Sequence, residues 1–261
     1  GHGKWGKAKI STLAKRWNRP YEGYITTTGN GYQVFEPQRP EPGPEWFDLA
    51  TWNIGLGNKT GIKTWVSRRT RIVRKIDLTQ PEVLCLQEAY LATAAGDAGL
   101  TWLITALDGQ YKIATNRSGR AILVRKDVEV ESAGIIAPKA RALGHPVKYA
   151  TWAVVRVNGQ RAFIVNVHAQ AGKAYGQTRK TWVKQVHAEV DVLRIKHKFA
   201  RSHVFLAGDW NGAEARASAK NYGYVDAALQ AKATFAQVFK SHNGWKKGLK
   251  KGPRIDYVLA G

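Results

Sequence analysis

The sequence predicts an α/β (α+β) four-layer sandwich: two mixed β-sheets packed face to face, flanked by helices. Two observations lead there. Strand-like and helical segments alternate along the chain, which taken alone would fit a doubly wound parallel sheet. In the middle stands a run of strand-like segments joined by Asn158-Gly159, a hairpin signal that requires antiparallel pairing. The 261 residues are 44% hydrophobic, enough for a sizeable core.

Residues 1–45 differ from the rest. Lys4, Lys7, Lys9, Lys15, Arg16 and Arg19 make the start basic. Asn18-Arg19-Pro20 and Gly29-Asn30-Gly31 are turn signals, and Pro37, Pro40, Pro42 and Pro44 stiffen an extended stretch. This region is expected to be a basic arm and Pro-rich linker, with the domain proper spanning 46–261. Trp46 to Ile54 reads as a strand that Gly55, Gly57 and Asn58 end. Trp65, Arg69, Ile72 and Ile76 recur at helical spacing, so a helix is expected from Ile62 to Ile76, followed by a short buried strand from Glu82 to Gln87. A second helix is expected over Leu100 to Leu107. Strands are expected at Tyr111–Thr115, Ala121–Arg125, Ala150–Val157 and Ala162–Val167. Trp182, Val186, Val190 and Leu193 form the apolar stripe of a long helix from Gln177 to Phe199. Val204–Ala207 and Ile255–Leu259 complete the expected strands.

Charge narrows the partners. Lys plus Arg number 41 against 19 Asp plus Glu, a net +22, which raises the local concentration of polyanions. DNA, RNA and anionic membrane surfaces are the candidates. No apolar run approaches the roughly 20 residues of a membrane-spanning helix. The single cysteine, Cys85, excludes an internal disulfide and reads as a small buried hydrophobe. No Met occurs, even at position 1, so the chain is expected to be processed or part of something longer, as in a secreted or phage-borne protein without its leader.

Four segments place a polar residue where an apolar strand ends and a loop leaves the sheet, a common location for sites. They are Asn53 after Thr51-Trp52, Glu88 after Cys85-Leu86-Gln87, His168 after Val165-Asn166-Val167, and Asp209 with Asn211 in Ala207-Gly208-Asp209-Trp210-Asn211. Each has a plain structural reading: Asn53 and Glu88 as caps, His168 as a half-buried histidine, Asp209 and Asn211 as turn formers. The repeated arrangement is what points to a site.

With Arg254-Ile255-Asp256-Tyr257-Val258-Leu259, these segments stand in the order found in the endonuclease/exonuclease/phosphatase superfamily. The chain resembles that superfamily from Trp46 to Leu259. Its members include deoxyribonucleases, apurinic-site endonucleases, sphingomyelinases and inositol-phosphate phosphatases. The resemblance implies a metal-dependent phosphodiesterase. Glu88 would be the main protein ligand of Mg2+ (Mn2+ or Ca2+ as alternatives), with Asn53 nearby. Asp209 would orient or activate the attacking water, Asn211 would hydrogen-bond a phosphate oxygen, and His168 would bind the phosphate or assist the leaving oxygen. Asp256 resembles the carboxylate that orients a second histidine.

Two departures stand out. Gly55 occupies a place that is acidic in some members. The family's closing Ser-Asp-His motif does not occur, so the last strand is expected to be missing. Three explanations compete: a fragment of a longer protein, a second chain supplying the strand and histidine, or lost catalysis; the first is favoured. His187, His197, His203 and His242 are expected on helix or loop surfaces. The basic run Lys246-Lys247-Gly248-Leu249-Lys250-Lys251 precedes the Asp256 strand and is expected to border the site. Trp245 and Tyr175 would stack on bases, with core packing as the alternative. A weakly sequence-specific DNA endonuclease is the expected function, RNA being a second substrate. A sphingomyelinase-like lipid phosphodiesterase and a non-catalytic nucleic-acid binder are the alternatives.

Overall fold

A computed structural model describes residues 47–55, 65–91, 99–140, 147–227 and 256–261, together with the backbone of 27–28 and 31–32. Most of the expected basic arm and linker therefore lies outside the described residues. So do Trp245, Lys246, Lys247, Lys250, Lys251 and His242. β1 (Thr27–Thr28) pairs antiparallel with β2 (Gly31–Tyr32).

The domain is built on two mixed sheets. The first holds β3 (Leu49–Asn53), β4 (Val83–Gln87), β5 (Tyr111–Arg117) and β6 (Arg120–Arg125) in the order β3-β4-β6-β5. β3 and β4 are parallel, joined through helix α1 (Trp65–Thr79), and helix α2 (Gly99–Ala106) follows β4. The second sheet holds β7 (Glu129–Ile136), β8 (Ala150–Val157), β9 (Gln160–His168), β10 (Val204–Asp209), β11 (Val225–Asp226) and β12 (Asp256–Ala260). Its order is β11-β12-β10-β9-β8-β7. Only β9 and β10 run parallel there, joined through helix α3 (Gly176–Lys196), and helix α4 (Glu214–Asn221) follows β10.

Successive side chains of a strand point to opposite faces, and both faces here are covered. On β4, Val83 and Cys85 enter the layer between the sheets, while Leu84 and Leu86 meet Trp65, Ile72 and Ile76 of α1 and Leu103 of α2. On β9, Ala162 and Ile164 face the first sheet. Phe163, Val165 and Val167 pack under Trp182, Val183, Val186 and Val190 of α3. Three apolar layers thus separate four structural layers, as expected. Burying each large side chain contributes about 1.5–3 kcal/mol. Double coverage is also why these strands read as continuous apolar runs.

Several expectations change. The first helix is described from Trp65 and continues to Thr79, stopping two residues before Pro81. The long helix ends at Lys196, not Phe199, because Lys198 turns left-handed at φ +59°. There the Phe199 N–H donates to Arg194 O (2.8 Å) and the Lys198 N–H to Ile195 O (3.0 Å), a Schellman closure that buries Phe199. β7 and α4 were not expected. His187 is not on a surface: its exposure is 0%.

A buried polar bridge fixes how the sheets face each other. Gln87 Nε2 donates to Asn166 Oδ1 (2.7 Å), and Asn166 Nδ2 donates to the carbonyl oxygens of Leu86 and Ala121 (2.9 Å each). In a low-dielectric layer these partners are costly to mismatch, so the bridge locks the two parallel strand pairs in register. Both residues immediately precede or lie next to strand ends that carry site groups.

Candidate active site

Asn53, His168 and Asp209 are the last residues of their strands, and Glu88 follows the last residue of β4. Parallel pairing aligns Asn53 with Gln87 and His168 with Asp209. Face-to-face packing then brings the two strand-end pairs together. Asn53 Nδ2 donates to Glu88 Oε1 (3.3 Å) in its own sheet and to Asp209 Oδ2 (3.0 Å) in the opposite one. His168 Nε2 lies 3.8 Å from the same Asp209 oxygen. The Asn211 N–H donates to Asp209 Oδ1 (2.9 Å), and Asn211 Nδ2 donates to Ala169 O (3.0 Å). The antiparallel β12 starts at this edge, with Asp256 in backbone register opposite Asp209.

Local conformation aims these groups. Glu88 and Asn211 both adopt φ +54°, uncommon for residues with a side chain and found where a chain re-aims one at a site. Gly55 has φ +56°, and its N–H donates to Asn53 Oδ1 (3.0 Å), which fixes the amide so that its nitrogen faces the carboxylates. Glycine at this departure from the family pattern thus has a backbone role.

Three buried or half-buried arginines, none of them a candidate from the sequence, brace the strand ends. Arg68 donates to Ile54 O (2.8 Å) and Gly55 O (2.6 Å), holding the loop after Asn53. Arg120, 3% exposed, donates to Ser118 O (2.5 Å) and His168 O (3.3 Å). Burial pulls both guanidinium groups below their usual range, and the Glu88 charge opposes it in each. Arg179 donates to Gln170 O (2.9 Å) and Gly172 O (3.1 Å) and pairs with Glu214 (Nη2 to Oε1, 2.9 Å), tying the loop after His168 to the segment after Asn211.

The donor set can be tested against a metal. Among the described residues no group of three His, Cys, Asp or Glu side chains could enclose an ion. Glu88 offers a carboxylate at the mouth. Asn53 presents nitrogen there, so ligation through its oxygen needs the amide to turn away from Gly55. Such a set fits a hard divalent cation completed by water and substrate oxygens, and does not fit a closed all-protein cage. Tyr175 lies in a short turn after β9, partly buried against Gly172.

Beneath Asn211, Trp210 stacks on His187 (5.8 Å, 15°), which also stacks on Tyr222 (5.1 Å, 9°). Burial pushes the imidazole down from 6.5 to about 4, against the opposing charge of Asp191. The unfolded chain therefore binds the proton first. This contribution is complete above pH 6.5 and is lost progressively as pH falls from there to about 4, costing about 3 kcal/mol in all. Urea unfolding at pH 7 and pH 4.5 should show this loss, and His187→Phe should flatten it; an equal loss in that variant would refute the assignment.

Residues 50–261 match the profile of the Endonuclease/Exonuclease/phosphatase family. Similar folds include truncated TDP2 from Caenorhabditis elegans (17% identity, TM-score 0.61, covering 82% of this chain and 84% of that one). The human Nocturnin catalytic domain with bound sulfate is also similar (17%, TM-score 0.63, 82% and 81%). So is a mannosyl-6-phosphatase of Bacteroides thetaiotaomicron (16%, TM-score 0.63, 82% and 85%). No curated protein matches the sequence. The chain belongs to the endonuclease/exonuclease/phosphatase family, a group of hydrolases acting on phosphoester bonds.

Proposed function

We propose that the protein is a metal-dependent phosphodiesterase that cleaves DNA with little sequence preference. The carrying observation is the convergence of Asn53, Glu88, His168, Asp209 and Asn211, drawn from two sheets, on one edge. Glu88 would hold Mg2+, with Asn53 linking it to Asp209. When bound, such an ion neutralises phosphate charge and polarises a phosphoryl oxygen. Asp209, fixed by Asn53 and by the Asn211 N–H, orients the attacking water and accepts its proton. His168, whose Nε2 lies 3.8 Å from that carboxylate, would hydrogen-bond the phosphate or donate to the leaving oxygen. Asn211 has one amide hydrogen on Ala169 O, and its second would meet a phosphate oxygen. Asp256, in register at the same edge, would orient a further histidine.

Charge supports nucleic acid among the phosphoesters. The chain carries +22. Arg125, Arg156, Arg161, Arg179, Arg194 and Arg201 are ion-paired with carboxylates. Arg71, Arg74 and Lys75 on the exposed side of α1 form no such pair among the described residues, so they remain available to phosphates. A TDP2 from D. rerio was solved with a single-strand DNA product, on a fold matching this one with a TM-score of 0.55. Lys246, Lys247, Lys250, Lys251, Trp245 and Tyr175 would extend the nucleic-acid contact.

Binding to a DNA oligomer should weaken roughly 10- to 100-fold between about 50 and 200 mM salt. Equal affinity at both would contradict the electrostatic reading. Turnover of plasmid DNA, sphingomyelin vesicles and a sugar phosphate by the same preparation tests the substrate class. Phosphocholine release exceeding DNA cleavage would favour the lipid enzyme.

A further inference from the structure

Tyr90 stands two residues beyond Glu88 with its side chain 41% exposed, unusual for a large aromatic next to so buried a strand. Its placement is built. The Tyr90 carbonyl accepts the Leu100 N–H at the start of α2 (2.8 Å), and the neighbouring Ala89 N–H donates to Gly119 O (2.9 Å). The Tyr90 ring lies directly on Gly119, where any Cβ would come within 2.9 Å of the ring. Gly119 itself has φ +77°, so a glycine both makes the hairpin turn and clears the space for the ring. Beside them the Arg120 guanidinium feels both the Tyr90 hydroxyl and the Glu88 carboxylate, and it is hydrogen-bonded to the His168 carbonyl. The ring therefore stands on the wall of the site formed by Glu88, Arg120 and His168, with one part seated on glycine and another open to solvent.

We propose that Tyr90 is a specificity-determining residue, the platform on which a nucleobase next to the scissile phosphate stacks. This rests on the reading of the site as a nucleic-acid phosphodiesterase. A rigid aromatic face held by backbone contacts loses little freedom on binding and accepts any base, which suits a site that positions backbone phosphates without reading sequence. Such a platform separates diesters that carry planar bases from those of equal charge that do not.

The test measures equilibrium binding, with chelator present, of an oligothymidylate of about 12 nucleotides and of an abasic strand of the same length and charge. The wild type and Tyr90→Phe should bind the base-bearing strand about tenfold more tightly than the abasic one. Tyr90→Ala should lose that preference and keep its abasic affinity. If Tyr90→Ala unfolds early in a thermal melt, Tyr90→Leu replaces it, since it keeps an apolar body over Gly119. The proposal is overturned if the wild type shows no preference, if the substituted protein retains it, or if abasic binding falls equally. A base preference that depends on Tyr90 in a protein that cleaves no diester would sink the hydrolase reading and leave Tyr90 as a base-stacking residue of a binding surface alone. Cleavage with a preference indifferent to Tyr90 would do the reverse.

Discussion

Asp209→Asn should lower the rate of phosphodiester cleavage by about 10³-fold or more while leaving the protein folded. The substitution preserves shape, and its oxygen can still accept the Asn211 N–H that Asp209 Oδ1 accepts at 2.9 Å. What it changes is the other oxygen. Asp209 Oδ2 accepts from Asn53 Nδ2 at 3.0 Å and faces His168 Nε2 at 3.8 Å. An amide nitrogen there sets donor against donor at Asn53. It also removes the carboxylate charge proposed to take a proton from the attacking water, next to His168 Nε2. The loss should appear in kcat under saturating substrate, with thermal unfolding little changed. A variant changed only in KM would show that Asp209 binds substrate without taking part in the reaction.

Gly208→Ala should destabilise the fold by about 4 kcal/mol or more, among the largest effects of any single methyl group here. Gly208 has φ +149°, and a Cβ built on it runs into the carbonyl oxygen of Val167 on the adjacent parallel strand. The obstacle is backbone, so no side chain can swing aside. Relief requires β9 and β10 to separate at the point where they present His168 and Asp209. Urea unfolding gives the loss, and a variant within 1 kcal/mol of wild type would show that the strands part easily.

How the site is assembled explains what the sequence disclosed. Asn53, Glu88, His168 and Asp209 were legible because each interrupts an apolar run, and an apolar run ending in a polar group marks a strand end at a surface. The sandwich was legible through strands apolar on both faces and through the Asn158-Gly159 hairpin. β7 was not, because an edge strand with one neighbour alternates exposed and half-buried residues and carries Glu129 and Glu131. α4 was not, because the side chains it buries among the described residues, Ser218 and Ala219, are too small to make an apolar stripe. Arg120 escaped because its importance lies in burial beside Glu88, a residue distant in sequence. His187 was misread for the same reason: its stacking partners Trp210 and Tyr222 come from segments after β10. Gln87 and Asn166 look like ordinary polar strand residues until the two sheets meet.

Glu88 is proposed to hold the metal of a phosphodiesterase at the edge where the two sheets meet. The most direct measurement follows nicking of supercoiled plasmid across a Mg2+ titration, for the wild type and for Glu88→Gln. The wild type should nick in a metal-dependent way that chelator abolishes. Glu88→Gln should nick at least about 10²-fold more slowly and need more Mg2+. Equal nicking by both proteins at every Mg2+ concentration, or nicking that persists in chelator, would contradict that role of Glu88.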